Sequence, residues 1–355
     1  RTSYRLGLRT LLLLVVAAPL TVAVATFARD GGERPLVTAE EARRLDEVTR
    51  ELERMNLPTV GLGEFSPARV TLAGWKTNGK RRLVSLAEFR PGGPGRDGIP
   101  ALTRPRVVPV SAVRHLVPQA PVIELVVGGE ARAYPLEVLV WHEIVNDVVG
   151  GRPVAVTFCP LCNTALVFDP SVGGRVLEFG TSGLLRNSDL VMYDRQTESW
   201  WQQFGGLALI GDLAGTRLRQ LPARIVRWDA FARAHPRATV VGRETGHGRP
   251  YGTNPYPGYE DADTGPWFAA ANEDDRRLRP KERVVFVERG GDAVVVPVSA
   301  LERRRVVRVR LAGTELTVGR AGGGIDVRSG GRAVPYTEPF WFAVAAFRPN
   351  VRIVR

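Results

Sequence analysis

Two stretches of this chain carry the same punctuation at one constant offset, and this repetition restricts the fold more than any compositional feature does. Gly128-Gly129-Glu130-Ala131, Pro135, Leu139, Val145 and Gly151 recur 162 residues later as Gly290-Gly291-Asp292-Ala293, Pro297, Leu301, Val307 and Gly313. Each copy reads as a strand, a Gly-Gly turn, a strand, a short segment opened by proline, and a strand pair joined at glycine. Trp228 and Pro236 match Trp341 and Pro349 at an offset of 113. The two offsets differ by 49, so the first copy carries about 49 extra residues between Val156 and Trp228. The expected fold class is mainly β, a β-rich α+β protein of two related β-rich halves with short helices.

The extra segment holds the chemistry. Cys159 and Cys162 are the only two cysteines in 355 residues, and they stand in Phe158-Cys159-Pro160-Leu161-Cys162. Residues 154–158 and 165–168 flank them as strands, which puts the pair at a hairpin tip. Trp141-His142-Glu143, expected on a neighbouring hairpin, supplies the histidine of this region. Two thiolates and one imidazole with an open fourth position form a zinc arrangement that also suits copper. The candidate metal ligands are therefore His142, Cys159 and Cys162, with copper or zinc as the ion. Glu143, Asn146 and Asp147 are candidates to orient these ligands. Met192 is a candidate soft extra ligand, against its plainer reading as core filler. Asp97, Ser182, Arg186 and Asn187 are candidate pocket residues. The second copy has Arg304 in place of His142, and Ala321 and Gly324 in place of the cysteines. The site is thus expected in the first half alone.

The same cysteines support two other readings. Cys-x-x-Cys is the spacing of a metal-free thiol–disulfide oxidoreductase, although such sites prefer a helix N-terminus within a βαβ unit. A surface binding or scaffold module with a structural disulfide is the third reading, although so short a loop adds little stability. Gly180-Thr181-Ser182-Gly183 is no nucleophile elbow, and the chain has no phosphate-binding or dinucleotide loop.

Arg1, Arg5 and Arg9 precede an apolar run over residues 11–27. Residues 1–27 read as a signal peptide or signal anchor, which places the body outside the cytoplasm, in the periplasm or at the cell surface. Residues 28–57 read as a charged helical stalk, with Thr38 and Glu41 as a capping box and Leu45, Val48, Leu52 and Met55 on one face. Residues 58–241 form the first half, 242–279 a Gly/Pro/Asp-rich linker, and 280–355 the second half. The net charge of +12 comes mostly from scattered arginines without a recognisable nucleic-acid module. The expected partner is a membrane, through the N-terminal segment, and not nucleic acid.

The series Ala133-Tyr134-Pro135-Leu136, Trp141-His142-Glu143-Ile144-Val145-Asn146-Asp147, Phe158-Cys159-Pro160-Leu161-Cys162, Ser182-Gly183-Leu184-Leu185, Met192-Tyr193-Asp194-Arg195 and Ser199-Trp200 resembles the bacterial domain-of-unknown-function family 3179. The resemblance runs from about Asp97 to the C-terminus. It implies an exported bacterial protein with the histidine and Cys-Pro-x-Cys elements as signatures, and it brings no activity. Arg186 departs from the resemblance, which leads one to expect an aromatic residue there.

Overall fold

The first Gly-Gly turn joins Pro121–Val127 to Glu130–Pro135 as an antiparallel pair. A seven-residue helix, Leu136–His142, follows directly, with Pro135 at its N-cap. Proline fits this place because its fixed φ leads into a helix and its missing N–H costs no hydrogen bond. Ile144–Val149, Arg152–Cys159 and Thr164–Asp169 then form an antiparallel meander. The order recurs later as Val284–Arg289, Asp292–Pro297, helix Ala300–Arg303, Val306–Leu311, Thr314–Ala321 and Gly324–Ser329. In both stretches a later seven-residue helix leads into a strand that pairs in parallel with the first hairpin. Trp228–Ala234 precedes Thr239–Val241, whose Val240 pairs with Ala133. Trp341–Phe347 precedes Arg352–Ile353, whose Ile353 pairs with Val295. These paired positions are 113 and 162 residues apart, as the glycine and tryptophan landmarks are.

The protein, described by a computed structural model over residues 70–355, is β-rich with four short α-helices. Residues 70–355 form one unit. Its two halves are continuous through a nine-stranded sheet, where Ala223–Arg227 meets Gly324–Ser329 at the pair Val226 and Gly324. The meander belongs to a second, five-stranded sheet ordered Arg219–Leu221, Thr164–Asp169, Arg152–Cys159, Ile144–Val149 and Leu102–Thr103. Four strands from the segment between the meander and Ala223, edged by the earlier Arg90–Pro91, build a third sheet, ordered Arg90–Pro91, Phe179–Arg186, Asp189–Asp194, Trp200–Gln202 and Leu207–Ile210. Packing joins these layers. Ile123, Tyr134, Leu139, Val156 and Val167 share one apolar cluster, while Val285, Val296, Leu301, Val318 and Val327 share another.

Two local expectations change. Trp141 and His142 end a helix rather than lie on a hairpin, because Val138, Leu139, Trp141 and His142 are all buried and a helical turn is what seats them together. Residues 70–90 read in sequence as short strands with turns at Thr77-Asn78-Gly79, but they form turns and a 3₁₀ turn at Leu86–Glu88, capped by Ser85. Val70, Leu72, Trp75, Val84 and Leu86 instead dock on Phe89, Tyr193 and Trp200. Residues 1–57, read in sequence as a leader and stalk, lie outside the described residues. Among the described residues, no helix is long and apolar enough to cross a membrane.

Candidate functional site

Cys159 ends the strand Arg152–Cys159 and pairs with Thr164 across a four-residue turn. Asn163 closes that turn at φ 55°, a left-handed conformation that asparagine tolerates. The second half holds the tip in place. Asn163 donates to the Glu338 carbonyl at 2.7 Å, and the Phe340 N–H donates to the Cys162 carbonyl at 2.9 Å. Tyr259 adds a hydrogen bond to the Leu161 carbonyl at 2.7 Å. The tip is buried in consequence, with Cys159 1% and Cys162 0% exposed. Both cysteines are free.

The third member of the site is Asp189, which sequence reasoning missed. It opens the strand Asp189–Asp194 after a two-residue turn, Asn187-Ser188, with both residues at positive φ. Such a turn matches the twist of a hairpin. Asp189 Oδ2 accepts from the Phe204 N–H at 2.9 Å and from the Gln202 side chain. Those donors fix the carboxylate and leave Oδ1 to accept from the Cys162 thiol at 2.9 Å. Thr164 Oγ1 lies 3.0 Å from the same sulfur and spends its own proton on Gln203 Oε1 at 2.7 Å. Gln203 in turn donates to Thr157 Oγ1 and to the Thr164 carbonyl. Gln202 and Phe204 thereby hold the aspartate, and Gln203 clamps the adjoining chain to the thiol hairpin.

One ligand atom from each of Cys159, Cys162 and Asp189 lies within 4.8 Å of the others, and all three residues are buried. Burial pushes both thiols up, and the negative charge of Asp189 adds to it. Burial also raises Asp189 to about 6, against the pull of its hydrogen bonds from Cys162, Phe204 and Gln202. Glu143, beside the group, is raised to about 8 by burial and by the charge of Asp189. Glu143 caps the helix at φ 58°, where glycine is the usual residue. The backbone thus carries a side chain at a position where it costs about 1–3 kcal/mol. That cost places a buried carboxyl beside the thiols.

His142 does not join the thiols. Its Nδ1 donates to the Pro100 carbonyl at 2.7 Å, and its Nε2 accepts from the Tyr251 hydroxyl at 2.6 Å. The carbonyl can only accept, which assigns the proton to Nδ1. Burial, opposed by the hydrogen bond to Pro100 and aided by the nearby His247 and Arg249, lowers His142 to about 4. With both nitrogens engaged, this ring ties three segments of chain together, and the carboxylate of Asp189 stands where the sequence placed an imidazole ligand.

The remaining candidates have other partners. Asp147 accepts from Arg132 at 2.7 Å and Tyr134 at 2.9 Å, a buried ion pair that ties the meander to the first hairpin. Asn146 bridges to Phe179, accepting from its N–H and donating to its carbonyl. Met192 is three positions after Asp189 on one strand, so alternation sends it to the opposite face. Asp97 pairs with Arg195 and accepts from the Tyr193 hydroxyl. Ser182 sits at a β-bulge and donates to the Val191 carbonyl. Asn187 accepts from the Ala271 N–H. Arg186 comes closest in effect: it pairs with Glu88 and donates to Gln202 at 3.2 Å, and Gln202 holds Asp189.

Residues 245–259 also belong to the site's surroundings. Tyr251 meets His142. Tyr256 is raised by burial and by the charges of Glu143 and Cys159. Tyr259 is raised by burial and by both cysteines. The stretch expected as a linker therefore lays two tyrosines along the thiol site and a third against His142.

A family model described as a protein of unknown function, DUF3179, matches residues 96–332. The chain belongs to this family. The DUF3179 match takes in the thiol hairpin, Asp189 and the hairpin Thr314–Ala321 with Gly324–Ser329. No curated protein and no solved structure matches the chain.

Proposed function

We propose that this DUF3179 protein binds one thiophilic divalent cation, zinc in preference to copper, through Cys159, Cys162 and Asp189. The observation that carries the reading is the convergence of three buried acidic donors within 4.8 Å of one another. A tetrahedral zinc site with bonds of about 2.0–2.3 Å sets its ligand atoms roughly 3.3–3.8 Å apart, a small contraction from that limit. Two thiolates and a carboxylate leave one negative charge on a divalent ion and two on Cu(I), and the carboxylate is a hard donor. Glu143, raised to about 8 in the metal-free protein, stands beside the group and can hydrogen-bond a water in the fourth position.

Metal-free thiol–disulfide exchange is the second reading, favoured by the thiol of Cys162 donating to Asp189 at 2.9 Å. A carboxylate there can take the proton that forms a thiolate. Burial of both sulfurs and their raised thiol pKa weigh against it, because exchange needs an accessible thiolate. A non-enzymatic scaffold with a structural disulfide has no comparable observation behind it. The two related stretches fit a duplicated β scaffold with a metal site in one copy. Residues 1–27 carry the proposal that this body is exported or anchored outside the cytoplasm.

The test is elemental analysis of the full chain, purified under reduction without a metal-affinity tag, with a parallel thiol count. About one zinc per chain is expected, lost in Cys162→Ser, weakened in Asp189→Asn and kept in His142→Gln. No zinc after reconstitution sinks the proposal, and a thiol pair that oxidises reversibly would then favour exchange.

A further inference from the structure

Away from the thiols, positive charge is concentrated in the second half. Residues 280–355 hold 14 Lys and Arg against 7 Asp and Glu, a net +7 out of +12 for the whole chain. On this side of the molecule lies a cavity of about 620 Å³, lined by Arg276, Arg277, Arg279, Arg303 and Arg355. The acids on its wall are Asp263 and Glu282. Glu282 accepts from the Ser299 hydroxyl at 2.7 Å, and Arg279 lies 3.9 Å from each acid. Arg277 is held by Asp275 and lies over the Trp341 ring, 5.0 Å from its centroid. Arg276 and Arg355 donate to backbone carbonyls of Glu273 and Arg277, which leaves their charge uncompensated. The Arg303 side chain has no hydrogen-bond or ion-pair partner among the described residues.

We infer that this cavity binds a small phosphate-bearing polyanion. Arg277 is neutralised by Asp275 and spends its remaining donors on the Val351 and Pro349 carbonyls, but Arg276, Arg279, Arg303 and Arg355 line the same space, and a guanidinium is a planar donor fork that fits phosphate oxygens in pairs. Asp263 and Glu282 offset only two of these four charges. A phosphate monoester brings close to two negative charges and several acceptor oxygens. The volume lies within the roughly 300–1,000 Å³ of small-molecule pockets. At the offset of 162, Ser299 and Arg303 fall at the positions of Glu137 and Trp141. The helix Ala300–Arg303 that backs this cavity is thus the counterpart of the helix that delivers His142 and Glu143. This inference is independent of the metal site.

Pyrophosphate is the probe, titrated calorimetrically into the full chain at low salt. The proposal expects one saturable site, weakened at least about tenfold in Arg303→Glu and in Arg276→Glu, and unaltered in Arg332→Glu, an exposed arginine outside the cavity. Binding should also weaken as salt is raised to about 0.15 M. Vesicles of phosphatidylcholine with phosphatidylglycerol separate the sources of the phosphate. Vesicle binding reduced in Arg303→Glu and displaced by pyrophosphate identifies a lipid headgroup. Equal vesicle binding by wild type and variant, with pyrophosphate binding intact, identifies a soluble ligand. No saturable pyrophosphate binding, or an equal loss in Arg332→Glu, overturns the inference.

Discussion

Two hairpin tips of this molecule occupy corresponding places and differ in what the turn carries. In the first half, Cys159 pairs with Thr164 across Pro160, Leu161, Cys162 and Asn163. In the second, Ala321 pairs with Gly324 across Gly322 and Gly323 alone, both at positive φ. Cys162 therefore has no counterpart: the ladder aligns Gly324 with Thr164, and the second turn is two residues shorter. The short turn follows the twist of its strands with the least chain. It also packs where no side chain fits, since a Cβ on Gly323 would come 2.3 Å from the Cβ of Ala230. The longer turn takes on buried polar groups, which need partners from three other segments. The comparison teaches that a scaffold gains a site by lengthening a turn and then covering it.

The largest effect should follow from making the first tip like the second. Replacing residues 160–163 with Gly-Gly keeps the Cys159–Thr164 ladder position and removes Cys162, Leu161 and Asn163. It also strands the Phe340 N–H and the Tyr259 hydroxyl. Metal binding should vanish, and denaturant unfolding should show a loss of about 3–5 kcal/mol from these partners and the lost burial. A variant that keeps one metal per chain would break the comparison. Cys162→Ala, a gentler change, should lower zinc affinity by at least about 100-fold in a competition titration with a coloured chelator, because it removes a ligand rather than an outer partner. Stability without metal should then change far less than in the turn replacement.

His142 sharpens the contrast between a ligand and a clamp. Its folded pKa of about 4 lies below the usual value of 6.5, with burial as the main cause. Between these values the unfolded chain takes up a proton that the folded protein refuses. Its contribution therefore favours the folded state fully above about pH 6.5, declines as the pH falls toward 4, and is flat below. The difference in unfolding free energy between wild type and His142→Gln should follow that window, by up to about 3 kcal/mol. A flat difference curve with zinc lost from the variant would return His142 to the ligand set. The smallest effect is expected at the other tip. Gly323→Ala should cost about 1–3 kcal/mol in thermal or denaturant unfolding, through positive φ and contact with Ala230, and leave metal content unchanged.

Much of this was legible in the sequence, for identifiable reasons. The glycine pairs and prolines mark backbone geometry directly, so the order of strands and the hairpin around Cys159 could be read from spacing. The cysteines stood out because there are two in the chain. Asp189 is one of 37 acidic residues, and its approach to Cys162 depends on how one sheet packs on another. The local signal that could have found it was the Asn187-Ser188 turn, which fixes the start of its strand. Gln202 and Gln203 read as ordinary polar residues until the first is seen holding Asp189 and the second reaching across to Thr157 of another sheet. His142 was assigned by proximity in sequence, whereas its Tyr251 partner comes from a loop 109 residues away. Local patterning specifies elements, and the site arises where elements meet.

The most direct test of the account is X-ray absorption at the zinc edge of the loaded full chain. Two sulfur neighbours at about 2.3 Å and light neighbours at about 2.0 Å are predicted, the same in His142→Gln and with the light-atom shell changed in Asp189→Asn. An imidazole signature that disappears in His142→Gln, or a shell without two sulfurs, would contradict the proposed set of Cys159, Cys162 and Asp189.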